Sequence, residues 1–193
     1  MKAFRFLSNE FFLGTLISIL SVLTAFASWQ GSIADSKQNE HEVLAMQQLN
    51  DGNAEYLSAN QFIVYDYTMY DGWYTADTAD KEEYYQSSYS EELQNSIAAN
   101  SDDPFSDAYY EAMYATSNDY WAESDTNFET AGQYDDRGDG LQLVMLTLAL
   151  GLAFAAWASL AKEESKMRLT FSALAVAMLV LGIVFYLGVP AVA

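Results

Sequence analysis

The sequence predicts an all-α membrane protein with three transmembrane helices and an extracytoplasmic helical hairpin that forms a coiled-coil-like stalk. Charge-free runs occupy residues 11–34, 141–161 and 169–193, and each can cross about 30 Å of hydrocarbon as a helix. The acidic segment between the first two runs has apolar residues at helical rather than alternating spacing. Only two prolines occur in 193 residues, so long uninterrupted helices are expected.

These runs divide the chain into predicted regions on the two sides of a membrane. In chain order they are a cytoplasmic N-terminus at 1–10, transmembrane helix 1 at 11–30, an acidic Tyr-rich extracytoplasmic helical domain at 31–139, transmembrane helix 2 at 140–161, a cytoplasmic loop at 162–168, transmembrane helix 3 at 169–189 and an extracytoplasmic C-terminus at 190–193.

Basic residues near the predicted membrane ends set the orientation. Five of the eight fall in the predicted N-terminus and the 162–168 loop: Lys2, Arg5, Lys162, Lys166 and Arg168. Because loops rich in Lys and Arg stay in the cytoplasm, we expect a multi-pass cell (inner) membrane protein whose N-terminus is cytoplasmic and whose acidic domain is periplasmic or extracellular. The first run also resembles a secretory signal, with Ala25-Phe26-Ala27 as a cleavage motif, and we expect it to be retained as an anchor.

The charge of the segment between Gln30 and Gly140 excludes some partners. It contains 24 Asp or Glu against three basic residues, a formal net charge of −21. Nucleic acid and anionic lipid are repelled by such a surface. Solubility or a salty habitat explains the charge, and binding of cations or of a basic partner is the alternative. Because the chain has no Cys, disulfides, thiolate zinc sites and cysteine nucleophiles are excluded.

The membrane runs contain small residues but no ionisable ones. Gly151, Ala155 and Ser159 recur at four-residue spacing in the second run, and Ala173 and Ala177 do so in the third. Small residues let membrane helices approach closely, so these positions predict packing within the chain or contact between subunits. The lack of intramembrane charge argues against a proton-coupled pump.

The acidic domain is predicted to contain three helical segments. A first helix leaves the membrane at Trp29 and runs to about Ala76; a second covers 80–99; a third starts at Pro104, with Asp103 as its cap, and continues into transmembrane helix 2. Gly132, Gly138 and Gly140 indicate a kink or short break in the third segment near the membrane.

Apolar and tyrosine side chains of this domain predict the faces through which its helices associate. Leu49, Tyr56, Ile63 and Tyr70 are seven residues apart, with Tyr67 in a companion row, which indicates a coiled-coil-like seam weakened by Gly52 and two Asn. Tyr109, Met113 and Tyr120 lie on one side of the third segment. Thirteen of the 14 Tyr fall in this domain, either as packing in a narrow wet interface or as partner-recognition residues.

Motifs that carry chemistry are weak in this sequence. Residues 135–140 have the Asp and Gly density of a calcium loop but lack its alternating ligands and terminal Glu. His41, the only histidine, could at best join Glu40 or Glu42 in a weak metal site. We find no serine-protease triad, P-loop or dinucleotide motif. No catalytic, cofactor-binding or metal residue is therefore expected, and an enzyme is the least favoured class.

The order of these features resembles that of a known group of proteins. An N-terminal anchor, the helix HEVLAMQQLNDGNAEYLSANQ, a Tyr-rich helical region and a closing two-helix membrane hairpin together resemble a family of uncharacterised bacterial three-pass membrane proteins. The resemblance covers most of the chain. It implies the three-pass architecture and no activity, cofactor or site residues.

The sequence favours a non-enzymatic structural or accessory membrane protein that self-associates or joins a larger membrane complex through its helical outer domain. The expected partners are membrane lipid and either further copies of the chain or other subunits, with weak divalent-cation binding as an open alternative. An oligomeric cation channel with an acidic vestibule is the alternative function. The candidate interaction residues are Leu49, Tyr56, Ile63, Tyr67, Tyr70, Tyr109, Met113, Tyr120, Gly151, Ala155 and Ser159.

Overall fold

A computed structural model describes residues 6–7 and 9–192, and all regular structure in this range is helical. The five α-helices are α1 (Glu10–Tyr74), α2 (Ala79–Ser87), α3 (Glu91–Ala99), α4 (Asp107–Leu160) and α5 (Lys166–Leu187). The predicted all-α class is thus confirmed. Lys2 and Arg5, which contribute to the predicted orientation, lie outside the described residues.

Three of these helices are long and apolar enough to cross a membrane. They are α1, α4 and α5, and each contains one of the charge-free runs of the sequence. This composition fits a multi-pass membrane protein. The chain divides into two compact units, the membrane unit (1–42 and 129–193) and the acidic unit (43–128).

The core of the membrane unit consists of apolar side chains from α1, α4 and α5. Gly151 lies where the three helices meet, since a Cβ atom there would be 3.0 Å from the Cβ of Met178 and 3.1 Å from Cδ2 of Leu20. Gly151 and Ala155 are buried inside the chain, whereas Ser159 is exposed and donates to the Ala156 carbonyl at 2.7 Å. The buried members of this core are Leu16, Leu20, Ala27, Val144, Leu148, Ala155 and Ala175.

The connection between α4 and α5 is shorter than the predicted 162–168 loop. Helix α5 already begins at Lys166, and the Ser165 hydroxyl caps it by accepting from the Met167 amide at 3.2 Å. Arg168 is buried and donates from Nη1 to the carbonyl of Ala161 at 3.1 Å. This bond satisfies one of the carbonyl groups that the end of α4 leaves without a helical partner.

Helix α4 continues through Gly132, Gly138 and Gly140 without a break. Gly138 is buried, and a Cβ atom there would lie 2.9 Å from Oδ1 of Asp35 and 3.9 Å from the Cβ of Ala34. Gly132 has nothing within 4 Å of the corresponding position. Within the membrane unit, Gly138 therefore permits close approach to α1 and does not end a helix.

Two predicted helix boundaries in the acidic unit are wrong. The segment 80–99 forms α2 and α3 instead of one helix, because Ser90 caps a new helix by accepting from the Leu93 amide at 3.1 Å. Helix α4 begins at Asp107 instead of Pro104, and the predicted cap Asp103 lies in a turn, where its amide donates to the Asn100 carbonyl at 3.3 Å.

Within the acidic unit, α1 and α4 run in opposite directions and pack along small residues. Ser124 Oγ donates to the Ala45 carbonyl at 2.9 Å, and the hydroxyls of Tyr67 and Tyr110 are 2.6 Å apart, so contact positions on α4 fall as those on α1 rise. The buried positions along this contact recur every seven residues, as Ala45, Gly52 and Ala59 on α1 and Ser117 and Ser124 on α4.

Candidate functional site

The acidic unit contains one fully buried carboxylate, that of Asp66 on α1. Its Oδ1 accepts from the Ser90 amide at 2.8 Å, while Oδ2 accepts from the Ser90 hydroxyl and from the Tyr109 hydroxyl, the latter at 2.8 Å. Helix α1, the α2–α3 junction and α4 thus meet at one side chain. The three donors all belong to the chain itself, so both oxygens of this carboxylate already have hydrogen-bond partners.

An aromatic core surrounds this carboxylate. Its buried members are Ile63, Tyr89, Leu93 and Tyr109, against which Met69, Tyr70, Trp73, Ile97, Phe105, Tyr110, Met113 and Tyr114 pack. Tyr67 stacks on Phe105 with ring centroids 4.0 Å apart. Stacked rings with polar tips fill the contact between two close helices, as the tyrosine content of the sequence predicts.

Three tyrosines of this core have raised pKa values. Burial raises the pKa of Tyr89 to about 12. Burial also raises the pKa of Tyr109, and its hydrogen bond to Asp66 adds to the effect. For Tyr110, the hydrogen bond with Tyr67 is the main cause of a pKa of about 12, with burial second. These phenols stay protonated in the folded unit at neutral pH.

Most of the predicted interaction residues of the acidic unit contact the chain itself. Ile63, Tyr67, Tyr70, Tyr109 and Met113 belong to or flank the aromatic core. Tyr56 is partly exposed but stacks on Tyr114, with centroids 5.2 Å apart. Leu49 is partly exposed beside the small-residue contact, and Tyr120 is half-buried.

The surface that the sequence analysis missed is the outward face of α1 in the acidic unit. Val43, Leu57 and Val64 are 65%, 62% and 66% exposed, and Asn50 completes the seven-residue spacing. We call these four residues the outward row. The positions four residues further on are also exposed and uncharged: Gln47, Ala54, Gln61 and Thr68. The signal is visible in the sequence as charge-free positions at regular spacing in an acidic segment.

Charged residues border this row without entering it. Asp51 and Glu55 are exposed, but with 3.6 residues per helical turn they point away from the line of the outward row. Asp71 occupies the next position of the seven-residue spacing after Val64, and the uncharged row ends there. The outward face of a surface helix is normally where charges are placed. Here large aliphatic side chains occupy that face instead, which is typical of a helix that packs against something further.

The described residues offer no preformed metal site. Over 6–7 and 9–192, no group of three or more His, Asp or Glu side chains is placed to hold an ion. Residues 135–140 lie inside α4 instead of forming a calcium-type loop. His41 stacks on Tyr134 in the membrane unit, with ring centroids 5.7 Å apart.

An apolar cavity lies in the membrane unit. It has a volume of about 100 Å³ and is lined by Leu23, Phe26, Ala27, Val144, Leu148, Gly182, Ile183 and Tyr186. No titratable carboxylate, amine or imidazole lines it, so it provides space for an apolar group but no reacting one. Comparisons with models of known protein families, with curated proteins and with solved structures give no match.

Proposed function

We propose that this chain is a non-enzymatic structural or accessory membrane protein that associates with itself or with a larger membrane complex through its acidic unit. The observation that carries the proposal is the outward row of α1, Val43, Asn50, Leu57 and Val64, which is exposed and uncharged in a segment of formal charge −21. We further propose that the unit forms an extracytoplasmic helical stalk, with the N-terminus in the cytoplasm.

Burial of the outward row is favourable, whereas contact between two acidic surfaces is repulsive. Full burial of a Val or Leu side chain contributes about 1.5–3 kcal/mol. The exposed carboxylates of α4, such as Glu111, Asp119 and Asp125, oppose the approach of another acidic surface. A partner that contacts the outward row gains the free energy of burying its apolar side chains and avoids most of the charge repulsion.

The surroundings of the buried Asp66 carboxylate support the non-enzymatic part of the proposal. Asp66, the buried carboxylate of the unit, has its donors supplied by Ser90 and Tyr109. A general acid or base needs access to a substrate proton, and this carboxylate has none.

The test is the native mass of the full chain in nanodiscs, with co-purifying proteins identified. We expect an oligomer or a stoichiometric complex, and we expect Leu57→Asp to reduce it severalfold by placing a charge in the outward row. Ala115→Asp is the matched control, because Ala115 is exposed on α4 away from that row. A monomer without partners, or equal effects of the two substitutions, would refute the proposal.

An oligomeric cation channel is the second candidate. The exposed acidic side chains along α4 favour it, since a ring of such surfaces concentrates cations. The buried Arg168 at the start of α5 and the apolar core of the membrane unit oppose it. Cation flux from liposomes that contain the purified protein would support this candidate, and flux equal to that of empty liposomes would eliminate it.

A further inference from the structure

We propose that the partner of the outward row is a second copy of this chain, in a parallel, in-register dimer in which Asn50 of one copy faces Asn50 of the other. The inference rests on the proposed function and adds the identity of the partner and the alignment of the contact.

The spacing of the outward row fits a coiled coil. Val43, Asn50, Leu57 and Val64 recur every seven residues, and Gln47, Ala54, Gln61 and Thr68 follow each of them by four. Two alternating rows at this spacing form the seam of a left-handed two-helix coiled coil. The surface therefore fits another helix that has a seven-residue repeat. Helix α1 of a second copy has this repeat on the same face.

The charge of the acidic unit limits the surfaces through which two copies can meet. A second copy has the same formal charge of −21 between Gln30 and Gly140, so most approaches of two acidic units are repulsive. All residues of the outward row and its companion positions are uncharged. The charged residues between 43 and 70 are Asp51 and Glu55, which flank these rows, and the buried Asp66. Contact through this face brings together the surfaces that repel each other least.

Insertion in a membrane would align the α1 helices of two copies. Helix α1 is continuous from Glu10 to Tyr74 and contains one of the three candidate spans. Two copies inserted in the same bilayer therefore have parallel α1 helices at the same height, which places each residue of the row opposite its own counterpart. Confinement in the bilayer also raises the effective concentration, so a narrow seam with three large aliphatic side chains suffices.

Asn50 is the one polar residue in the outward row. A carboxamide has both donors and acceptors, so Asn50 can hydrogen-bond to Asn50 of another copy. A shift by seven residues would set Asn50 against Val43 or Leu57 and leave its amide unpaired. A single Asn in an otherwise apolar row fixes alignment in this way, at some cost in stability.

Single-cysteine variants test the inference directly, because the natural chain has no Cys. Oxidation of membranes that contain full-length Leu57→Cys or Val64→Cys should give a disulfide-linked dimer severalfold more efficiently than Glu55→Cys, which is exposed on the same helix but off the row. Mixed membranes with tagged Leu57→Cys and Val64→Cys should give few mixed dimers. Seven residues of helix separate those positions by about 10.5 Å, whereas a disulfide needs Cα atoms within about 7 Å.

The outcomes separate this inference from the proposed function. Efficient dimers of Leu57→Cys with few mixed dimers support the parallel, in-register contact. Mixed dimers as abundant as the symmetric ones overturn the alignment. A stoichiometric foreign partner without self-crosslinking overturns this inference and leaves the proposed function standing. A monomer with neither partner nor crosslink overturns both.

A substitution of the polar residue tests its role separately. In the Leu57→Cys and Val64→Cys backgrounds, Asn50→Leu should increase the yield of dimer and the fraction of mixed dimers, since the outward row becomes uniformly apolar. An unchanged ratio of mixed to symmetric dimers would show that Asn50 does not set the alignment.

Discussion

At the scale of single residues, Asp66 joins three helical segments of the acidic unit through one carboxylate. The substitution Asp66→Ala leaves the Ser90 amide and the Tyr109 hydroxyl without their acceptor in a buried site. We expect the free energy of unfolding to fall by about 3 kcal/mol, seen as a lower Tm of the full chain in detergent. Asp119→Ala removes an exposed carboxylate from α4 and serves as the control; an equal loss in both variants would contradict the assignment.

Two buried tyrosines of the same core should respond in opposite directions to loss of the hydroxyl. The Tyr109 hydroxyl donates to Asp66 at 2.8 Å, whereas the buried Tyr89 hydroxyl has no hydrogen-bond partner among the described residues. Tyr109→Phe should lower stability by about 1–3 kcal/mol, and Tyr89→Phe should leave it unchanged or raise it. Thermal unfolding of the two variants side by side decides the matter, and a larger loss for Tyr89→Phe would contradict this prediction.

The raised pKa of Tyr89 predicts alkaline destabilisation. Its pKa rises from 10.0 to about 12 on folding, so the folded unit holds the phenol proton more tightly than the unfolded chain. This contribution to stability is fully present below pH 10 and is lost as the pH rises towards 12. Stability measured across this range should fall less steeply in Tyr89→Phe than in the natural chain. Equal slopes would mean that Tyr89 does not titrate as described.

The role of tyrosine as a packing residue was predictable from sequence, and that of Asp66 was not. The tyrosine content and helical spacing already indicated a narrow aromatic contact, and Tyr67, Tyr70 and Tyr109 lie in one. Asp66 is one of 24 acidic residues in its segment, and nothing in its local sequence distinguishes it. Its burial depends on the arrival of Ser90 and Tyr109 from distant positions.

At the scale of helices, Gly52 tests whether propensity or packing dominates in α1. A Cβ atom there would lie 2.6 Å from Cδ1 of Trp121 and 3.2 Å from the Ser117 carbonyl oxygen. Alanine favours helix over glycine by about 1 kcal/mol, but the overlap with a backbone oxygen and an indole ring costs about 1–3 kcal/mol. We therefore expect Gly52→Ala to lower the Tm.

Gly132 on α4 provides the control for that substitution. Beyond the adjacent backbone of α4, no atom of residues 6–7 and 9–192 lies within 4 Å of a Cβ atom added there, so Gly132→Ala should raise stability by up to about 1 kcal/mol through helix propensity alone. If both alanine variants are stabilised, the close contact of Gly52 with Trp121 is not significant.

The long helices could be predicted from sequence, and the short ones only in part. Helix α1 is continuous because it contains no proline and few helix-breaking residues, and it ends at Tyr74, close to the expected Ala76. The break between α2 and α3 depends on Ser90, whose amide and hydroxyl bind a carboxylate 24 residues earlier. Local spacing favours continuation there, and tertiary hydrogen bonds outweigh it.

At the scale of the whole molecule, charge should oppose the proposed dimer and salt should relieve that opposition. Each copy has a formal net charge of −19, and most of the charge is exposed. Because the screening length is about 10 Å at 0.1 M salt and about 3 Å at 1 M, the yield of Leu57→Cys dimers should rise severalfold over this range. A fall with salt would indicate that attraction between opposite charges holds the partner instead.

Composition was enough to predict three helices that are long and apolar enough to cross a membrane, since long apolar runs have few other stable solutions. The side of the membrane, the stalk and self-association stay predictions, because they depend on groups and partners beyond a single folded chain. The outward row was missed for a different reason. Its aliphatic positions are less conspicuous in the sequence than the Tyr-containing repeat, most of which packs within the chain.

The small residues buried between α1 and α4 in the acidic unit recur every seven positions, and such a repeat is nearly unchanged when one helix slides by seven residues. Ala45, Gly52 and Ala59 would find equivalent neighbours after a slip. The indole of Trp121 over Gly52 and the carboxylate of Asp66 at Tyr109 each occur once, so they determine which offset is native. Different contacts thus provide affinity and alignment in this unit. The repeated small-residue contacts hold the two helices together, and the two unique contacts exclude pairings shifted by seven residues.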